Sequence, residues 1–196
     1  MLFPVCKPVE PVEPVEPVEP VEVFDVVDDT MSSRNCPTRQ CSIELQNKSS
    51  MFTLCNPHVH TVSGSCDAPF PPTLGPSESG GALFVKSPHA ACGSVGVFTY
   101  DLLSESTQQY RGRVAVMFSV PYDFNLYSSW FAVGVFGLDT HCDQHLYETM
   151  YYNTERGFVR GKAKGSSLSH RGSHVTVRAT MSDSYRAVVK VQVCNN

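Results

Sequence analysis

Apolar and polar residues alternate along Cys41-Ser42-Ile43-Glu44-Leu45, and Asn47-Lys48-Ser49-Ser50 follows as a turn. Residues 51–56 then read as a second strand, so the pair predicts a β-hairpin. Further strand-like runs lie at 81–86, 94–102, 114–120, 130–136, 175–180 and 188–193. In the last of these Val189, Val191 and Val193 alternate with Lys190 and Gln192, the period of a half-buried strand. Residues 64–82 are rich in Pro, Gly and Ser, including Pro69-Phe70-Pro71-Pro72, and read as a loop. One segment carries a different period. Across 143–153, Leu146 and Met150 stand four apart, as do Tyr147 and Tyr151, and Asp143 suits a helix start. Many short strands with a short helix indicate a mainly β, two-sheet sandwich.

The amino terminus repeats every three residues. Pro-Val-Glu begins at Pro8, Pro11, Pro14, Pro17 and Pro20. Proline at every third position excludes an α-helix and fits polyproline II, which the repelling glutamates extend further. Residues 1–40 are therefore expected to form a disordered acidic tail, and 41–196 the compact domain, with Met31 as an alternative start.

Composition narrows the class. The chain has 196 residues, 41% hydrophobic and 17% charged, enough apolar material for one core. No run approaches the ~18 apolar residues of a transmembrane helix. The opening MLFPVCKPVE lacks a basic leader region, so no signal peptide is evident, and a secreted or cytosolic soluble protein is expected. Formal net charge is −4, but unevenly placed. Residues 1–30 carry eight acids and one base; the rest carries 11 acids and 14 bases. A surplus of three positive charges is too small for a nucleic-acid footprint. Cys36 with Cys41 and Cys55 with Cys66 would close short loops, but a domain this long needs no such staples. Most of the eight cysteines are expected to be free thiols.

Candidate chemistry concentrates in the aromatic stretch Phe118-Ser119-Val120-Pro121-Tyr122-Asp123-Phe124-Asn125-Leu126-Tyr127-Ser128-Ser129-Trp130-Phe131. Rings with a polar atom suit either a core edge or a membrane–water boundary. A second group, Tyr147, Tyr151 and Tyr152, lies on the predicted helix. Together the two groups would line a cation–π cage for a quaternary ammonium group. The mixed Cys and His residues of 55–60 and 141–145 lack paired metal-ligand spacing, and nothing orients a Cys–His nucleophile. Neither a metal, a cofactor nor an enzymatic function is expected. Arg156, Arg160, Lys162 and Lys164 read as a basic loop, either solvated or in contact with lipid phosphates.

The run FSVPYDFNLYSSW, followed by LYETMYYN, GSVGVFTYDL at 93–102 and ATMSDSY at 179–185, resembles the actinoporin family of pore-forming cytolysins, most closely the actinoporin-like proteins of fishes. The resemblance runs from about Cys41 to the end. It implies a two-sheet sandwich flanked by two short helices. It also implies phosphocholine-headgroup binding, with sphingomyelin preferred, and self-assembly on the target membrane into a cation-permeable pore. The headgroup pocket it implies comprises Ser63, Val95, Ser119, Pro121, Tyr127, Tyr147, Tyr151 and Tyr152. The membrane-contact residues are Phe124, Leu126, Trp130 and Phe131. Two features depart from the family pattern. The PVE repeats stand where an inserting amphipathic helix is expected, and Arg156-Gly157-Phe158 stands in place of Arg-Gly-Asp. An alternative is a lipid- or glycan-binding, lectin-like module without pore activity.

Overall fold

The computed structural model describes residues 39–154 and 156–196. The repeat, Cys6, Cys36, Met31 and the expectation of a disordered tail lie outside these residues. Arg39 and Gln40, by contrast, are part of the folded body, and Gln40 opens its first strand.

Two six-stranded sheets make the sandwich. One contains β10 (Leu168–Arg171), β11 (Val175–Met181), β12 (Arg186–Asn195), β1 (Gln40–Lys48), β5 (Ser79–Val85) and β3 (Ser65–Ala68), in that order. The other runs β4 (Thr73–Leu74), β2 (Phe52–Ser63), β6 (Ser94–Ser104), β7 (Tyr110–Val120), β8 (Trp130–Phe136), β9 (Phe158–Lys162). All pairings are antiparallel except β1 with β12, which run parallel. A single helix, α1 (Gln144–Tyr152), is present among the described residues, where the resemblance implied two.

Burial patterns explain which strands were legible. In the first sheet β1 buries Cys41, Ile43 and Leu45, and β12 buries Ala187, Val189, Val191 and Val193. Every second residue faces the core and the other face meets solvent. The second sheet is covered on both sides. Its inner face contributes Phe98, Tyr100, Val116, Phe118, Phe131 and Val133 to the main core. Its outer face packs Val97, Ala115, Met117 and Ala132 against Leu146, Tyr147 and Met150 of α1. Hence β7 is buried at successive positions and loses its alternation. Asp143 caps α1, its Oδ1 accepting from the Leu146 N–H at 2.9 Å.

The predicted β1–β2 hairpin does not form. The two strands lie in different sheets, so the intervening residues cross the sandwich. At the crossing stands Asn47, whose side chain is wholly buried. Its Nδ2 donates to the carbonyls of Phe52 (2.7 Å), Leu74 (3.0 Å) and Gly75 (3.1 Å), and its Oδ1 accepts from the Ser49 N–H at 3.0 Å. Asn47→Ala is expected to lower stability by about 2–4 kcal/mol, because several buried backbone groups lose partners at ~1–3 kcal/mol each. Urea denaturation measures this; an unchanged midpoint would mean that the amide does not hold the crossing.

Two other regions differ from expectation. The loop at 64–82 contains β3 and β4 as well as the start of β5. The basic loop is in part strand, since β9 carries Arg160 and Lys162 and pairs with β8. Among the described residues, Cys41, Cys55, Cys66, Cys92, Cys142 and Cys194 are free thiols, so Cys55 and Cys66 close no loop.

Candidate headgroup site

Register brings the predicted residues together. Ser63 pairs with Val95, Val95 with Ser119, Ser119 with Trp130, and Trp130 with Lys162. These five form one row across β2, β6, β7, β8 and β9. Cross-strand partners share a face, and Val95 packs with the α1-facing cluster, so the row lies on the helix side of the sheet. Pro121 follows directly where β7 ends. At the Ser63 end, its Oγ donates to the Gly93 carbonyl at 3.1 Å.

Helix α1 lays its tyrosines over this row. Tyr147 is buried and stacks on Tyr151 at 5.5 Å between centroids, and Tyr152 meets Tyr151 edge-on at 4.9 Å. Tyr151 also meets Trp130 edge-on at 6.5 Å. Burial raises the Tyr147 and Tyr151 phenols above their ordinary range. Neighbouring tyrosines push the same way, while hydrogen bonding with Ser119 and, for Tyr151, the charge of Arg160 act against it. Tyr147 and Tyr151 therefore stay protonated at neutral pH, and the faces of such rings attract a cation. Tyr127 projects from the loop between β7 and β8, 63% exposed, and lies close enough to Tyr151 to influence its titration.

The four expected membrane-contact residues divide. Leu126 is 73% exposed at the loop tip. Trp130 is half-buried beneath two cations. Phe124 is half-buried and meets Tyr185 edge-on at 4.7 Å. Phe131 is corrected: it is 1% exposed and belongs to the inter-sheet core. The physical reason is strand parity, because adjacent residues of β8 point to opposite faces and Trp130 takes the outer one.

Two arginines carried no specific signal in the sequence. Arg39 lies in the span read as tail, yet it is buried, with its guanidinium 4.0 Å from the Tyr185 ring centroid and 5.7 Å from that of Phe124. Its Nε donates to the Tyr122 carbonyl at 2.8 Å, fastening the aromatic loop. Arg160 stood within a basic run, but β9 pairing places it opposite Ala132 on the helix side. Its guanidinium lies 4.2 Å from the Trp130 ring centroid and 5.9 Å from that of Tyr151. Burial lowers its affinity for the proton, and its Nε is buried with no hydrogen-bond partner. Lys162 adds an ammonium 5.3 Å from the Trp130 ring. The arrangement thus offers aromatic faces and guanidinium donors side by side, which suits a zwitterion.

Among the described residues no group of three or more His, Cys, Asp or Glu is placed to hold a metal, and no helix is long and apolar enough to cross a membrane.

A family model described as sea anemone cytotoxic protein matches residues 21–195. Cytolysin tenebrosin-B of Actinia tenebrosa is 29% identical over 157 residues, 80% of this chain and 69% of that protein. Nigrelysin of Anthopleura nigrescens is 30% identical over 164 residues, with the same shares. DELTA-actitoxin-Aeq1b of Actinia equina is 34% identical over 121 residues, 59% of this chain and 51% of the toxin. The matches therefore span between about half and about two thirds of these relatives. Among solved structures, the lipid binding protein Nakanori shares the fold at a TM-score of 0.61 and 12% identity, covering 79% of this chain and 70% of that one.

Proposed function

The chain belongs to the sea anemone cytotoxic protein family, the non-enzymatic pore-forming cytolysins, and from that premise we propose that it recognises phosphocholine headgroups, sphingomyelin above all, and assembles on that membrane into a cation-permeable pore. The observation that carries the headgroup reading is the juxtaposition of Tyr151 on α1 with Trp130 and Arg160 on the helix side of the second sheet. Choline methyls would meet the faces of Tyr127, Tyr151 and Tyr152, each ring contributing roughly 0.5–2 kcal/mol. The headgroup phosphate would accept from Arg160, whose Nε has no partner of its own. A resident guanidinium beside the cage repels a lone choline but attracts phosphocholine, so the phosphate is part of what is recognised. Leu126, at the exposed loop tip, would enter the interfacial layer.

Co-sedimentation with vesicles tests this reading. Binding is expected with sphingomyelin vesicles and not with vesicles of phosphatidylglycerol alone, and soluble phosphocholine should compete where choline and simple glycans do not. Arg160→Gln is expected to weaken vesicle binding by about tenfold or more, since a hydrogen bond to a charged group contributes ~1.5–3 kcal/mol. Competition by a glycan instead would support the lectin-like reading. Release of a trapped dye from the same vesicles tests perforation separately; sedimentation without release would confine the activity to recognition.

A further inference from the structure

We propose that a basic cleft at the far end of the sandwich is a second binding site, for a ligand bearing clustered phosphate groups. The cleft is open to solvent, has a volume of about 530 Å³ and is lined by Arg111, Arg156, Arg171, His170 and His174, with the backbone of Gly172 among its walls. Its size falls within the ~300–1,000 Å³ of small-ligand sites. The lining residues among those described include no Asp or Glu. The ion pairs among the described residues are Arg113–Asp101, Lys164–Asp183 and Lys190–Glu44, and none uses these three arginines.

Their convergence follows from topology. Arg111 stands near the start of β7, Arg156 precedes β9, and Arg171 ends β10. Residues distant in sequence, from β7 and the approach to β9 in one sheet and from β10 in the other, thus line one cleft. The wall at 172–174 is fixed in place. The Gly172 N–H donates to the Val175 carbonyl at 2.9 Å, and the Gly172 carbonyl accepts from Asn196 Nδ2 at 2.8 Å. A Cβ on Gly172 would meet Val135 Cγ2 at 2.8 Å, so this backbone packs directly on β8. The His174 ring lies 6.0 Å from that of Phe52. Guanidiniums that line one cleft with no acid among its described lining residues repel one another, and a multivalent anion removes that repulsion while accepting from each. A single small anion would leave most of the cleft empty, which is why clustered phosphates are preferred. The headgroup row lies at the other end of β7, an 11-residue strand, hence roughly 30 Å away at ~3.4 Å per residue. Occupancy of the cleft therefore does not compete for the headgroup row.

Calorimetric titration of the full chain with inositol hexakisphosphate tests the assignment. Binding is expected at low salt and should weaken steeply as salt screens the charges. Arg111→Gln with Arg171→Gln should weaken it about tenfold or more, whereas Arg178→Gln, on β11 and outside the lining, should not. Tyr151→Ala should leave this binding intact, so failure here and failure of the headgroup reading are distinguishable. Vesicles containing phosphatidylinositol bisphosphate but no choline lipid form a second arm. Capture by them that depends on the same arginines identifies a lipid source, and binding of the soluble ligand alone identifies a free one. Should the double variant fail to fold, amide shifts at Gly157 and Gly172 in the unmodified chain give the readout. Absence of heat and of those shifts, or full affinity in a folded double variant, overturns the proposal.

Discussion

Arg113→Leu is expected to remove about 3–5 kcal/mol of stability, the cost of leaving a buried charge without its partner. In a domain of this size that corresponds to a fall of roughly 10 °C in Tm. The Arg113 Nε lies 2.7 Å from Asp101 Oδ1, and both side chains are largely buried. Asp101 Oδ2 accepts from Asn56 Nδ2 at 3.2 Å, which ties the pair to the bulge in β2. Arg113 Nη1 also donates to the Thr140 carbonyl, in the loop that leads into α1. Loss of Arg113 therefore strips Asp101 of its counter-charge and frees the entry to the helix that carries the tyrosines. Headgroup binding should weaken as a secondary effect. Changing Asp101 to Leu in the same chain should recover much of the lost stability, because no buried charge then remains. Thermal unfolding of the single and double variants checks this. Equal stability of Arg113→Leu and the parent chain would mean that water reaches Asp101.

Strands with one solvated face were legible because their period survives in the sequence. β1 and β12 alternate cleanly, and the helix announced itself through Leu146, Met150 and the cap Asp143. Where pairing geometry decides, the sequence was silent. Asn47-Lys48-Ser49-Ser50 signals a reversal, but a reversal does not say whether the chain returns to the same sheet or crosses to the other. At the crossing the Asn47 amide reaches carbonyls at Phe52, Leu74 and Gly75, contacts between residues far apart in sequence. β9 was hidden because Arg160, Gly161 and Lys162 look like a solvated loop, yet pairing with β8 satisfies their backbone.

The candidate site divides along the same line. Its rings are visible as composition, and the resemblance named Ser63, Val95 and Ser119, but their alignment in one row is a property of register. The resemblance placed Phe131 with Trp130 among the membrane-contact residues. A strand puts them on opposite faces. Arg160 is the opposite case, 30 positions from Trp130 in the chain and stacked on its ring in the fold.

The double variant Tyr127→Ala, Tyr151→Ala carries the largest expected effect on binding. Tyr127 is well exposed and contributes little to packing, and Tyr151 is only half-buried on α1. Their removal should leave Met150, Leu146 and the inter-sheet core in place. What disappears is on the order of 1–4 kcal/mol of cation–π attraction, about five- to a thousandfold in affinity. The measurement is co-sedimentation of the double variant with sphingomyelin vesicles, with its melting temperature recorded alongside. A folded protein that no longer sediments is the predicted result. Binding equal to that of the unmodified chain, at an unchanged melting temperature, would contradict a phosphocholine site built on these rings.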